Sequence, residues 1–163
     1  MNEKIAVGIS DYRTSTSPDM LVTYALGSCV GISLYDPVAR IGGLSHIMLP
    51  NSSLRANAVT DDRMKFADTA IDDMLTKMES LGAVRTRIFA KIAGGANMFG
   101  STDDTFIGTI GERNVAAVHS ELERLGIPLV AEDVGANYGR TVQFDLENGR
   151  VVIQTIGKGV REL

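Results

Sequence analysis

One cysteine, Cys29, and two histidines, His46 and His119, are all that the chain holds of thiol and imidazole side chains. A single cysteine cannot close an internal disulfide, so a secreted, disulfide-held scaffold is excluded. Three such ligands scattered along the chain do not suggest a structural zinc site, and no metal centre is expected. Long apolar runs are also missing. No stretch approaches the roughly 20 residues that cross a bilayer. The opening MNEKIAVGIS mixes acidic and basic residues where a signal peptide would carry an apolar stretch. Positive charge is neither dominant nor clustered: 16 Lys and Arg stand against 20 Asp and Glu, for a net charge of −4. That distribution is no footprint for nucleic acid or for insertion at an anionic membrane. Internal repeats, low-complexity tracts and linkers are absent too. What is left is a soluble, cytoplasmic protein, with residues 1–163 forming one domain large enough to bury a core.

The apolar pattern predicts strands over residues 4–9, 20–26, 29–35 and 41–49, with residues 10–19 and 51–59 as loops. The clearest helix follows Thr60, a candidate cap, with Asp61 and Asp62 at the positive end of its dipole and Gly82 as its stop. Ala67, Ala70, Ile71, Met74, Leu75, Met78 and Leu81 recur on one face at helical spacing, a core stripe. A strand over residues 87–92 leads into a loop from Gly94 to Thr105. A second helix spans 112–125, with Val115, Val118, Leu122 and Leu125 inward, and a strand covers 127–133. Residues 140–145 and 150–156 form a hairpin around Asn148-Gly149, a favoured type I′ pair. Many strands and two main helices, out of strict alternation, argue for an α+β fold.

The stretch with chemical content runs from Thr23 to His46. Cys29 directly follows Gly27-Ser28, so it opens a strand instead of lying within one. Glycine permits a backbone turn there, and a nucleophile at such a turn is reachable, with nearby N–H groups placed to stabilise an oxyanion. Cys29 and His46 lie on opposite arms of one predicted hairpin. An even-numbered connection between the arms places both on one face, and an odd one separates them. The sequence leaves that parity open. A shared face would let the imidazole reach the thiol and favour the thiolate. The plain alternatives are a buried, inert cysteine, a hydrogen-bonded filler histidine and, in Thr23, a simple strand former. His119 lies mid-helix and is assigned no role. Gly94-Gly95-Ala96-Asn97 follows a strand but lacks the Lys-Ser/Thr of a phosphate loop.

Taken together the motifs are specific. Leu26-Gly-Ser-Cys-Val30, Tyr35-Asp-Pro37 and His46-Ile-Met-Leu-Pro50 occur in order. They are followed by Lys65-Phe-Ala-Asp-Thr-Ala70, Ala90-Lys-Ile-Ala-Gly-Gly-Ala-Asn-Met-Phe99, Ile110-Gly-Glu-Arg-Asn114 and Ala131-Glu-Asp133. Over nearly its whole length the chain resembles the CheD family of chemoreceptor glutamine deamidases. The resemblance implies Cys29, His46 and Thr23 as catalytic residues, with backbone support from Gly27 and Ser28 and no cofactor. It implies a layered α/β/β arrangement of mostly antiparallel or mixed sheets, similar to the catalytic domain of cytotoxic necrotizing factor toxins. The implied reaction is hydrolysis of glutamine side chains to glutamate on chemoreceptors through a cysteine thioester. The implied partners are chemoreceptor cytoplasmic helices and the CheC phosphatase; binding and stimulating CheC is the alternative function. Residues 51–59 and 97–105 are the expected receptor contacts. One departure is Ala136, where the family often carries a second glycine after the position of Gly135.

Overall fold

The computed structural model of the chain describes residues 2–54, 62–98 and 106–163. Among them are ten strands and two α-helices. The strands are β1 Lys4–Val7, β2 Asp11–Thr16, β3 Met20–Leu26, β4 Val30–Asp36, β5 Ile41–Ile47, β6 Phe89–Gly94, β7 Leu129–Val134, β8 Arg140–Asp145, β9 Val151–Thr155 and β10 Gly159–Glu162. The helices are α1 Ala67–Ser80, between β5 and β6, and α2 Phe106–Leu125, between β6 and β7. Two five-stranded sheets result, in the orders β1-β3-β8-β9-β10 and β2-β5-β4-β6-β7. Both are mixed: β1 with β3 and β6 with β7 are parallel, and the other pairs are antiparallel. The α+β expectation holds.

Strands β4 and β5 form the middle of the second sheet, and every one of their residues is buried. Successive side chains point to opposite faces, so the two strands feed two cores. On one face Val30, Ile32, Leu34, Ile41 and Ile47 pack with Ile71, Met74 and Met78 of α1 and Val118 and Leu122 of α2. On the other, Tyr35 and Leu44 pack with Leu21, Leu26, Val142, Phe144 and Ile153 of the first sheet. The layers are therefore helix, sheet, sheet. Full burial of each such aliphatic or aromatic side chain contributes about 1.5–3 kcal/mol, and both faces of the hairpin draw on it. Gly42 lets the sheets approach: a Cβ there would stand 3.0 Å from the ring of Phe144.

Several boundaries differ from expectation, each for a local reason. Residues 10–19 contain β2, whose polar sequence suits a sheet edge that pairs only with β5, from Asp11 opposite His46 to Thr16 opposite Ile41. Thr60 and Asp61 lie outside the described residues. A 3-10 turn over Arg63–Lys65 and an extended Phe66 come before α1, which starts at Ala67 with no side-chain cap. Leu81, past the helix end, is exposed. Helix α2 begins at Phe106, well before residue 112. Gly111 does not break it but touches a neighbour: a Cβ would lie 2.6 Å from the Gly95 carbonyl oxygen. The β8–β9 connection spans residues 146–150, narrowed by the Asp145 N–H to Arg150 carbonyl bond. Only Gly149 in it has positive φ, so a two-residue type I′ turn is excluded. Buried Leu146 turns inward and widens the loop. Strand β10 was not expected; it is an exposed edge.

Candidate active site

The connection between β4 and β5 is residues 37–40, four in number, with Asp36 opposite Ile41 and Gly31 opposite His46. Parity is thereby resolved: residues 29, 31 and 46 share the face turned toward the first sheet. Cys29 lies one diagonal step from His46, half-buried against the inter-sheet cluster. His46 is fully buried. Thr23 arrives from the opposite sheet, on β3, also fully buried. Its Oγ1 is 2.7 Å from His46 Nδ1 and 2.9 Å from the Val7 carbonyl oxygen.

Those two distances determine the tautomer. The Val7 carbonyl can only accept, so the single hydroxyl hydrogen of Thr23 goes to it. Toward His46 the Thr23 oxygen must accept, which places the imidazole proton on Nδ1. Nε2 is left with a bare lone pair, and it has no hydrogen-bond partner among the described residues. None of the described hydrogen bonds joins Cys29 Sγ to His46. The structure thus brings Thr23 and His46 into contact and puts Cys29 on their face without a direct bond.

Burial sets the charge state. Unopposed desolvation pulls His46 down to about 4, and the Cys29 thiol is pushed above its ordinary value by the same cause. The Cys29 N–H, lying against its own sulfur, offsets this only in part. Burial thus works against the thiolate that a shared face would favour: it favours the neutral thiol and the neutral imidazole.

Backbone bonds hold the turn before β4. The Gly27 carbonyl accepts from Ala96 N–H at 2.9 Å and the Cys29 carbonyl from Gly95 N–H at 2.8 Å. Gly94 has φ +115, and a Cβ there would collide with the Cys29 carbonyl oxygen. The Gly94–Asn97 stretch is thus a clamp on the Cys29 backbone, a role its sequence did not announce. Among the described residues, the Ser28 and Cys29 N–H groups have no acceptor other than the cysteine's own sulfur. The Gly27 N–H is engaged by the Ala25 carbonyl at 3.1 Å. Unengaged backbone donors are therefore present at Ser28 and Cys29, while the Gly27 N–H is taken up within the turn.

Sequence reasoning missed Arg140. Its buried guanidinium bonds Asp133 at 3.0 Å, the Gly135 carbonyl at 3.0 Å and the Gly94 carbonyl at 3.4 Å, tying the clamp to β7 and β8. An arginine at the start of a strand carries no local signal of such burial. Ala136 sits at φ +59, the left-handed region in which glycine is unstrained, and its carbonyl accepts from Asn97 N–H at 2.8 Å. His119 pairs with Glu132 at 2.7 Å on the surface. Of the two expected contact loops, only residues 51–54 and 97–98 are described. No helix among the described residues is long and apolar enough to cross a membrane.

The family model for CheD chemotactic sensory transduction matches residues 48–155. That match begins just after His46, but full-length relatives cover the site. A protein from Caldanaerobacter subterraneus subsp. tengcongensis is 50% identical, with 99% of each chain covered. One from Desulforamulus reducens is 49% identical over 98% of this chain and 95% of its own. One from Clostridium botulinum is 50% identical over 99% and 98%. All three carry the name "Probable chemoreceptor glutamine deamidase CheD".

Proposed function

The chain belongs to the CheD family, and from that premise we propose that it deamidates glutamine side chains of chemoreceptors on the cytoplasmic side, with Cys29 as nucleophile. The observation that carries this is the Thr23–His46 hydrogen bond, which leaves a buried, unpartnered Nε2 on the face of Cys29. Because the pair rests neutral, proton transfer accompanies attack. The Cys29 thiol proton passes to His46 Nε2 while the sulfur bonds to the carboxamide carbon, and the carbonyl π electrons move onto oxygen. The Ser28 and Cys29 N–H groups receive that oxyanion. Collapse breaks the carbon–nitrogen bond, His46 returns the proton to nitrogen, and ammonia leaves a thioester. Water, deprotonated by His46, then hydrolyses the thioester to glutamate and regenerates the thiol.

Exposed Met98, close to Gly27, and exposed Met48, which follows β5 beside the site, give the mouth an apolar, adaptable rim. Such a rim suits a helical protein surface, and free glutamine has nothing to place on it. A CheC segment presented to the same rim would compete with the receptor. The test compares ammonia release from free glutamine, a short glutamine peptide and a chemoreceptor cytoplasmic fragment. The fragment should be much the best substrate; equal catalytic efficiency on all three would leave a small-molecule amidase instead.

A further inference from the structure

Asn114 lies on α2 and is fully buried. Its Nδ2 donates to the Ser28 carbonyl at 2.9 Å and to the Met48 carbonyl at 3.0 Å. Both acceptors are carbonyls, so the amide can present only its NH2 to them, and its two hydrogens are both used. Its Oδ1 is left without a partner among the described residues. An unpaired buried acceptor costs about 1–3 kcal/mol, a cost that a purely structural position would be expected to shed by substitution.

The two carbonyls flank the mouth of the hairpin, one before Cys29 and one after His46. The Ser28 carbonyl and the Cys29 N–H belong to one planar trans peptide and point in opposite directions. Holding the carbonyl toward α2 therefore turns the Cys29 N–H away from the helix. That N–H does lie on the side of the cysteine's own sulfur. The neighbouring peptides are held by backbone bonds, Gly27 to Ala96 and Cys29 to Gly95. The peptide between Ser28 and Cys29 is held by a side chain.

We propose that Asn114 is a positioning residue for the oxyanion site, fixing the peptide whose N–H receives the developing charge. This rests on the deamidase reading above. The second bond, to Met48, ties the strand end that carries His46 to the same amide, so nucleophile and base keep a common reference.

Asn114→Asp keeps the shape but, when ionised, sets a carboxylate against two carbonyls; Asn114→Ala removes the strap without that repulsion. Each variant is assayed on a chemoreceptor cytoplasmic fragment, alongside iodoacetamide alkylation of Cys29, which needs no oxyanion site. For a variant that is folded by circular dichroism, kcat should fall about 100-fold, the loss typical of one oxyanion donor. KM and the alkylation rate should stay near wild type. A kcat close to wild type overturns the proposal. So does a fall of alkylation in parallel with kcat, or loss of fold in both variants, since either makes the residue structural. A wild-type protein inactive on the fragment would refute the deamidase reading; an active wild type with active variants refutes the positioning role alone.

Discussion

The β4–β5 hairpin buries a titratable side chain at each end, Asp36 at the closed end and His46 at the open one, both fully shielded from water. At Asp36, burial raises the carboxyl, but the Arg87 guanidinium and the Val84, Ala39 and Val38 N–H groups outweigh it and bring it to about 2. The Arg87 contact is 2.9 Å, and both carboxylate oxygens are occupied. At His46 nothing opposes burial, and one ring nitrogen has no partner. Both side chains are out of contact with water, yet Asp36 is a charged, saturated group and His46, which lies deeper in the packed interior, a neutral, unsaturated one. A saturated polar group holds structure, whereas an unsaturated one is held ready for a proton.

The sharpest way to break this contrast is to remove one group from each end. Cys29→Ala at the open end should lower deamidation of a receptor fragment by about 10⁴-fold or more, with the melting temperature little changed. Asp36→Ala at the closed end should do the reverse. It strands three backbone N–H groups and an arginine, which destabilises the fold by about 2–3 kcal/mol in urea titrations while the folded fraction keeps its kcat. Undiminished turnover by folded Cys29→Ala would remove the mechanism.

Acid should separate the two ends by pH. An unfolded histidine titrates near 6.5, while His46 in the fold does so at about 4. Between those values the unfolded chain binds the extra proton, so stability falls as pH drops from about 6.5 to about 4, by on the order of 3 kcal/mol. Asp36 acts in the same direction over a lower window: its contribution is complete above 3.8 and is lost as pH falls toward about 2. Urea unfolding of wild type and His46→Gln across this range should show the upper window vanish in the variant and the lower one persist. A wild-type stability flat from pH 7 to 4 would contradict the neutral burial of His46.

Thr23 tests the tautomer. Thr23→Val deletes the oxygen that accepts the Nδ1 proton and should reduce kcat on the order of 10²-fold, whereas Thr23→Ser should retain most activity. Equal losses in the two would show that shape, not the hydroxyl, matters. The smallest effect belongs to the loop behind the open end. Ala136→Gly relieves the strain at φ +59 but loosens the unfolded chain. The strain relief, about 1–2 kcal/mol, should exceed the entropic loss of about 0.4–1 kcal/mol. A modest rise in melting temperature is expected, and a fall would mean the strain is offset in place.

Much of this was legible beforehand. The periodic stripe from Ala67 to Met78 marked α1, and the apolar runs around Gly27-Ser28 and Asp36-Pro37 marked β3, β4 and β5, because those signals are carried by neighbours in the chain. The polar edge strand β2 and the early start of α2 were not, since edge pairing and a close helix contact at Gly111 depend on partners distant in sequence.

For the site, the chain alone placed Thr23, Cys29 and His46 on strands or at a strand's start, and narrowed the hairpin to two parities. Folding chose between them with residues 37–40. It set Thr23 against His46 from the facing sheet, which no spacing within either strand encodes. Burial then worked against the thiolate that a shared face would favour, because the charge on a side chain depends on the water and dipoles around it, and those are supplied only when the two sheets close over it.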